Sequence, residues 1–232
     1  MKMKKLLYLL VLILPSSLFS QDWEMFHDME DLFSINFPGE PEITYFDYDS
    51  EYGAVFPGKT YSALRGKNNF SLTVIDYTNY KEIHEQRTNK TEADAPAGYT
   101  YDIIDVLASI AFAASNYRKK AKEVTLDIWA HIDRIPGHQL QLTNHDGSRS
   151  FIGIFLHNKK LYIVDASVPE NYPPQGHFQQ SLRFIDSNQN YVRYDYGEDH
   201  GTGWNLIQQD AEERQGWLTG DFADIDRRTL GD

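Results

Sequence analysis

The residue types best suited to chemistry gather around one predicted hairpin. Arg134 and His138 lie in RIPGH, and Asp146 and Arg149 lie in DGSRS. Arginines at one end of a sheet bind a carboxylate or phosphate through two parallel hydrogen bonds. Arg134, His138 and Arg149 are therefore the candidate ligand-binding set, with Arg65 ending a strand that could lie beside them. The competing reading is structural and is favoured: in so acidic a chain these arginines pair with local Asp and Glu, in surface ion pairs of little worth. A different combination, His138 with Asp146 or Arg149, would suit a hydrolase, since catalytic groups need only converge in space.

No recurring catalytic spacing supports that second combination. The chain has no G-x-S-x-G elbow, no H-E-x-x-H, no Walker loop and no Rossmann glycine pattern. It has no cysteine, which excludes thiol catalysis and cysteine-held metal. Its 8 histidines are scattered, and no two stand one, three or four residues apart. His145 and His157 fall at predicted turns, where an exposed polar residue is ordinary. No metal and no cofactor is expected.

The elements that must position these residues run from Glu123 to Ala166, which reads as four consecutive antiparallel strands. EVTLDIWAHID and GHQLQLTN alternate apolar and polar residues, and Asp146-Gly147 supplies a tight turn. SFIGIFLH and KLYIVDA are more continuously apolar and join at Asn158-Lys159, so this hairpin should lie mid-sheet with both faces covered. Earlier, Phe33, Ile35 and Phe37 alternate and stop at Pro38-Gly39. Two longer strands follow, with Ile43, Tyr45 and Asp47 on one side of the first and a turn between Asp49 and Gly53. NFSLTVIDYTN is a further strand, with Phe70, Leu72 and Val74 facing one way. Tyr45, Tyr48, Tyr52, Tyr61, Tyr77 and Tyr80 could form an aromatic platform, although core packing is the simpler role.

From Tyr80 to Thr100 the pattern dissolves into a polar surface loop with at most one helical turn near Ile83. The main helix then spans YDIIDVLASIAFAASNYRKKAKEV. Ile103, Leu107, Ile110, Ala111 and Ala114 form its stripe, and Thr100 or Asp102 caps it. Arg118, Lys119 and Lys120 crowd its end, where the helix dipole favours cations. A short helix from His177 to Ile185 should bury Phe178, Leu182 and Ile185. The fold class is α+β: a mainly antiparallel sheet of about seven strands with one long and one short helix.

Residues 1–20 read as a signal peptide, with three lysines ahead of an apolar run too short to span a bilayer, and a cut after Ser20. Removing Lys2, Lys4 and Lys5, with no acid among those residues, takes the formal charge from -12 to -15. So acidic a protein repels nucleic acid and anionic lipid, and no membrane span remains after cleavage. The expected address is periplasmic or secreted. Residues 21–186 form the single predicted domain. Residues 187–232 carry ten acids against Arg193, Arg214, Arg227 and Arg228, and read as an acidic, disordered tail.

FSINFPGEP with the strand pair after it, then SRSFIGIFLHNKKLYIVDASVP leading into FQQSLRFI, resemble a family of uncharacterised exported bacterial proteins similar to the PsbP-like fold. The resemblance covers about Asp31 to Asp186 and none of its motifs is catalytic. It implies an antiparallel sheet with helices packed on it, often in an accessory or assembly factor. Together these readings point to a non-enzymatic envelope protein. It would bind a small ligand, or a partner protein through the tail or a sheet face.

Overall fold

The structure, a computed structural model, describes residues 23–51, 53–86 and 106–194. The chain opens with a short hairpin, β1 (Glu24–Asp28) and β2 (Phe33–Phe37). β3 (Glu42–Asp49), β4 (Val55–Arg65) and β5 (Asn68–Asp76) follow as a meander. Two helices, α1 (Tyr80–Gln86) and α2 (Val106–Lys120), lead to the predicted run of strands. These are β6 (Glu123–Ile132), β7 (Ile135–Thr143), β8 (Arg149–His157) and β9 (Lys160–Val168). A short helix α3 (Gly176–Ser181) and a two-residue strand β10 (Arg183–Phe184) complete the set.

The large sheet has seven strands in the order β3-β4-β5-β9-β8-β7-β6, and every pair in it is antiparallel. The predicted apolar hairpin, β8–β9, is central and buried on both faces. Turn chemistry sets the registers. Asn158-Lys159 (φ 49° and 60°) and Asp133-Arg134 (φ 49° and 70°) are two-residue turns with both residues left-handed, the hand that matches strand twist. Gly147, at φ 83°, serves the β7–β8 turn as expected.

Each face of the sheet has its own cover. On one face the small sheet β1-β2-β10 and α3 enclose Phe33, Ile35, Phe37, Phe70, Phe155 and Phe178. On the other, α1 and α2 cover Phe56, Ile75, Leu140, Ile152, Ile154 and Ile163. The second, three-stranded sheet has no counterpart in the sequence reading. It arises because the final helix ends at Ser181. Leu182 turns extended, and Arg183 and Phe184 pair with Ser34 and Phe33 instead of continuing the helix to Ile185. Phe178, Leu182 and Ile185 are nevertheless all fully buried.

Three other expectations change. The stretch near Ile83 makes a seven-residue helix, two turns rather than one. Among the described side chains of α2 the buried set is Ser109, Ile110, Ala113 and Ala114, and Ala111 faces solvent; the Ile103 and Leu107 side chains lie outside the description. Tyr45 is 75% exposed, while Tyr61 and Tyr77 are buried in the two cores as expected. Tyr52, the helix start with its caps, and most of the polar loop lie outside the described residues.

The small sheet is tied down by one carboxylate. Asp31, 3% exposed, accepts hydrogen bonds from Lys160 Nζ (2.6 Å), Tyr61 OH (2.8 Å) and Lys59 Nζ (3.0 Å). Its carbonyl accepts a fourth from Tyr162 OH at 2.7 Å. Burial pushes the Asp31 carboxyl up, but the bonds from Lys160, Tyr61 and Lys59 outweigh it and hold it below its ordinary value. A depressed acid stabilises the fold above its unfolded pKa, and that contribution fades as pH falls through the folded one. Asp31→Ala should cost about 3 kcal/mol at neutral pH, because it takes the carboxylate from Lys160 and leaves Lys59 only the exposed Glu30. The deficit should shrink toward pH 3 in urea titrations.

The packed chain continues past the expected boundary at Asp186. Val192 N donates to Phe184 O at 2.9 Å, Tyr194 OH lies 2.8 Å from His157 Nε2, and Arg134 Nη1 donates to Tyr194 O at 2.8 Å. The rest of the predicted tail lies outside the described residues. A chain ending after Asp186 should melt about 5 °C below one ending after Tyr194, as calorimetry of the two truncations would show.

Candidate functional site

The structure separates the three residues singled out in the sequence. Arg134 is the second left-handed residue of the β6–β7 turn, and its guanidinium holds Tyr194. Arg149 pairs with Thr143 at the other end of β7. At 3.4 Å per residue that is roughly 30 Å away. Its guanidinium lies over Phe151 at 5.5 Å and donates to Tyr172 O. His138 stands between them on the opposite face from Arg149, since side chains alternate along β7. Asp146 is exposed in the β7–β8 turn, where it accepts from the Ser148 amide and hydroxyl. Arg65 shares Arg149's end of the sheet but stacks on Trp23. No pair from the set converges.

His138 has other partners, which sequence reasoning missed. It is 4% exposed, and its Nε2 lies 2.5 Å from Asp127 Oδ1 and 3.1 Å from Arg118 Nη2. Arg118 grips the same carboxylate with Nε at 2.6 Å and Nη2 at 2.8 Å. That fork, with His138 second, holds the Asp127 carboxyl down at about 2. Trp129 closes over the ring at 4.8 Å, edge to face. The other ring nitrogen, Nδ1, is buried without a partner. Both edges of the imidazole are thus withheld from solvent, and the cluster clips the end of α2 onto β6 and β7. Arg118 belongs to the basic run read as a solvated helix end, and its true partner was visible only as an acid amid the alternation of β6.

His157 also departs from its expectation. It is 3% exposed, lies between Tyr194 and Phe184, and burial lowers its pKa to about 4. Among the described residues no cluster of three or more His, Asp or Glu could hold a metal ion.

Among the described residues a concave region with aromatic lining lies on the helical face, on the side of α2 away from His138. It is a cleft of about 470 Å³ between α2 and strands β3, β5 and β9. Phe46, Tyr48, Phe112 and Tyr117 wall it, and Thr73, Ile75 and Ile163 form its floor. Phe46 takes its place because its cross-strand partner is Gly58, where a Cβ would meet the ring at 2.5 Å. Tyr48 and Phe112 meet edge to face at 6.4 Å. The Tyr48 hydroxyl is buried beside that of Tyr77.

One strand step beyond Ile163 on the same face stands Asp165, opposite Ser71 on β5 and Ile152 on β8. Ser167 Oγ donates to its Oδ1 at 3.2 Å, and a run of side chains continues through Ser150 Oγ (2.8 Å) to Asn144 Nδ2 (3.1 Å). Burial raises the Asp165 carboxyl to about 6 against the opposing pull of Ser167 and Ser150. Its field in turn pushes up the Tyr117 hydroxyl, which burial already raises. An Asp inside the apolar run KLYIVDASV was the available sequence signal, since central strands seldom carry an acid without cause.

A raised acid penalises folding once it must ionise. The Asp165 penalty is absent below its unfolded pKa near 4, grows as pH rises to about 6, and is complete above that. Asp165→Asn should therefore stabilise the protein by about 2 kcal/mol at pH 7.5 and leave it unchanged at pH 3.5. Equal effects at both values, in thermal melts, would refute this account.

No family model matches the chain, and no curated protein is similar to it. Among solved structures, the chain is similar to cyanobacterial PsbP from Synechocystis sp. PCC 6803, at 12% identity and a TM-score of 0.42, over 73% of this chain and 96% of that one. It is also similar to a protein of unknown function from Pseudomonas aeruginosa, at 12% identity and a TM-score of 0.27, over 63% of this chain and 83% of that one. The first bears the name of the PsbP-like fold that the sequence motifs resemble. Likenesses at this level carry no argument about function, and the α+β class rests on the sheet topology itself.

Proposed function

We propose that this is an exported, non-enzymatic binding module of the cell envelope, and that it holds a small ligand in the cleft beside α2. The carrying observation is the cleft itself: about 470 Å³ and aromatic on its walls. Binding pockets are concave and mostly apolar, with a few polar groups to orient the ligand. Export rests on the signal-like residues 1–20, which lie outside the described residues. Among the described residues no helix is long and apolar enough to cross a membrane.

The hydrolase alternative built on His138, Asp146 and Arg149 draws no support from their placement, as they stand apart on two faces and a turn. The His138–Asp127 contact resembles half of a catalytic dyad. A dyad, however, needs one imidazole nitrogen turned toward a nucleophile or substrate. Here Nε2 is taken by Asp127 and Arg118, and Nδ1 is buried.

The neutral dye N-phenylnaphthylamine tests the cleft. The mature protein should bind it at one site with a blue-shifted emission, and Asn116→Trp, which fills the cleft from a half-exposed helix position, should abolish binding without lowering the melting temperature. Undiminished dye binding by a folded Asn116→Trp protein sinks the cleft reading. Fractionation of the native host should find a chain beginning at Gln21 outside the cytoplasm, and an uncleaved chain in the cytoplasm would overturn the envelope assignment.

A further inference from the structure

We infer that the C-terminal segment docks its residues Trp204 to Ile207 on the open edge of the large sheet, adding an antiparallel strand to β6. The inference is independent of the cleft and its ligand, and it gives β6 an occupant from within the chain.

Three observations converge. First, β6 is the last strand of the seven, and among the described residues its outer edge has no partner strand. Such an edge presents a row of unpaired amides and carbonyls, which folded proteins blunt with lysine, proline, a bulge or a cover. β6 contains no lysine and no proline, and from Ile128 to Ile132 it carries no acid and no arginine. Its bulge lies near its start, between Val124 and Leu126. The opposite edge, β3, is instead studded with Glu42, Asp47 and Asp49. Second, large apolar side chains stand out on both faces of β6. Trp129, 52% exposed, shares the helical face with His138, and Ile128, 46% exposed, lies on the other. Third, the described chain ends beside this edge. β6 leads directly into the turn that carries Arg134, and Arg134 Nη1 holds Tyr194 O at 2.8 Å.

Reach and sequence select the segment. A strand laid along β6 from its Ile132 end runs opposite to it, the pairing that needs only a short connection. From Ile132 back to Ile128 is about 14 Å at 3.4 Å per residue. Residues 195–203, DYGEDHGTG, extend to at most about 30 Å and cover that distance with slack. The first aliphatic residues after Tyr194 are Leu206 and Ile207, beside Trp204. In an extended chain Trp204 and Leu206 fall on one side and Ile207 on the other. The segment therefore offers apolar contacts to both faces of β6 at once, and such cross-strand pairs are what hold an added strand.

Hydrogen exchange of the whole mature protein, read residue by residue in NMR spectra, tests the docking. Alternate amides of an edge strand point away from its neighbour. In β6 these outward amides should exchange about tenfold more slowly in the mature protein than in the double variant Leu206→Pro with Ile207→Pro. Two adjacent prolines remove one donor facing β6 whatever the register. The amides of β6 that bond to β7 should keep their rates, which separates strand addition from a general change in stability. Trp204→Ser, which keeps every backbone donor and removes the largest apolar contact, should lose part of the same protection. Outward-amide rates that are equal in the mature protein and both variants overturn the inference. So does protection that rises with protein concentration alongside a dimer mass in light scattering, since the occupant is then a second copy of the chain.

Discussion

The buried carboxylate of Asp31 is the interaction on which the layered structure depends. It sits in the turn after β1 and draws together lysines and tyrosines from β4 and β9, strands that are not neighbours in the sheet. Asp28 prepares the turn by accepting the amides of Glu30 and Asp31 at 2.9 and 2.7 Å. Leu32 then enters with a left-handed backbone, φ 52°. The result delivers Phe33, Ile35 and Phe37 to the sheet face in one register. Without that anchor, a two-stranded hairpin has too little apolar area to hold itself in place.

Geometry explains why the opposite face keeps a cleft. Seven strands at about 4.8 Å spacing make a sheet roughly 29 Å across. One helix with its side chains covers about 10 Å of that width. The Arg118–Asp127–His138 clip ties the end of α2 to β6 and β7, and the helix packs on β7 and β8, off-centre on the seven strands. Phe46 and Tyr48 of β3 then look across a gap at Phe112 and Tyr117 of the helix. The clip and the cleft are two consequences of a single helix placed off-centre.

Three acids differ in what compensates them. The buried Asp31 meets two lysines and the exposed Asp127 meets Arg118, and both are held ionised. Asp165 meets only hydroxyls, and its carboxyl is raised instead. Ion pairs inside a fold are a cost offset by geometry; Asp31 serves architecture in that way, and the Asp127 pair does so at the surface. Among the described residues Asp165 has no partner of opposite charge.

The sequence by itself determined the strands, the turns and the α+β class, because each is a local property. Alternation along β5 to β9, left-handed turn residues at Asn158-Lys159 and Gly147, and the apolar run of β8 and β9 all act within a few residues. Burial of Phe178, Leu182 and Ile185 was legible in the same way, although their conformation was not. Whether residues 182–184 extend a helix or add a strand depends on the open edge of β2, some 150 residues earlier in the chain. The site was less legible for the same reason. Arg134, His138 and Arg149 look close in sequence, but a nine-residue strand holds the two arginines apart and alternation sends His138 to the other face. Asp31 with Lys160, Arg118 with Asp127, and Tyr48 with Phe112 meet only once the sheet order and helix position exist. Long-range pairing decides them, and no local pattern encodes it.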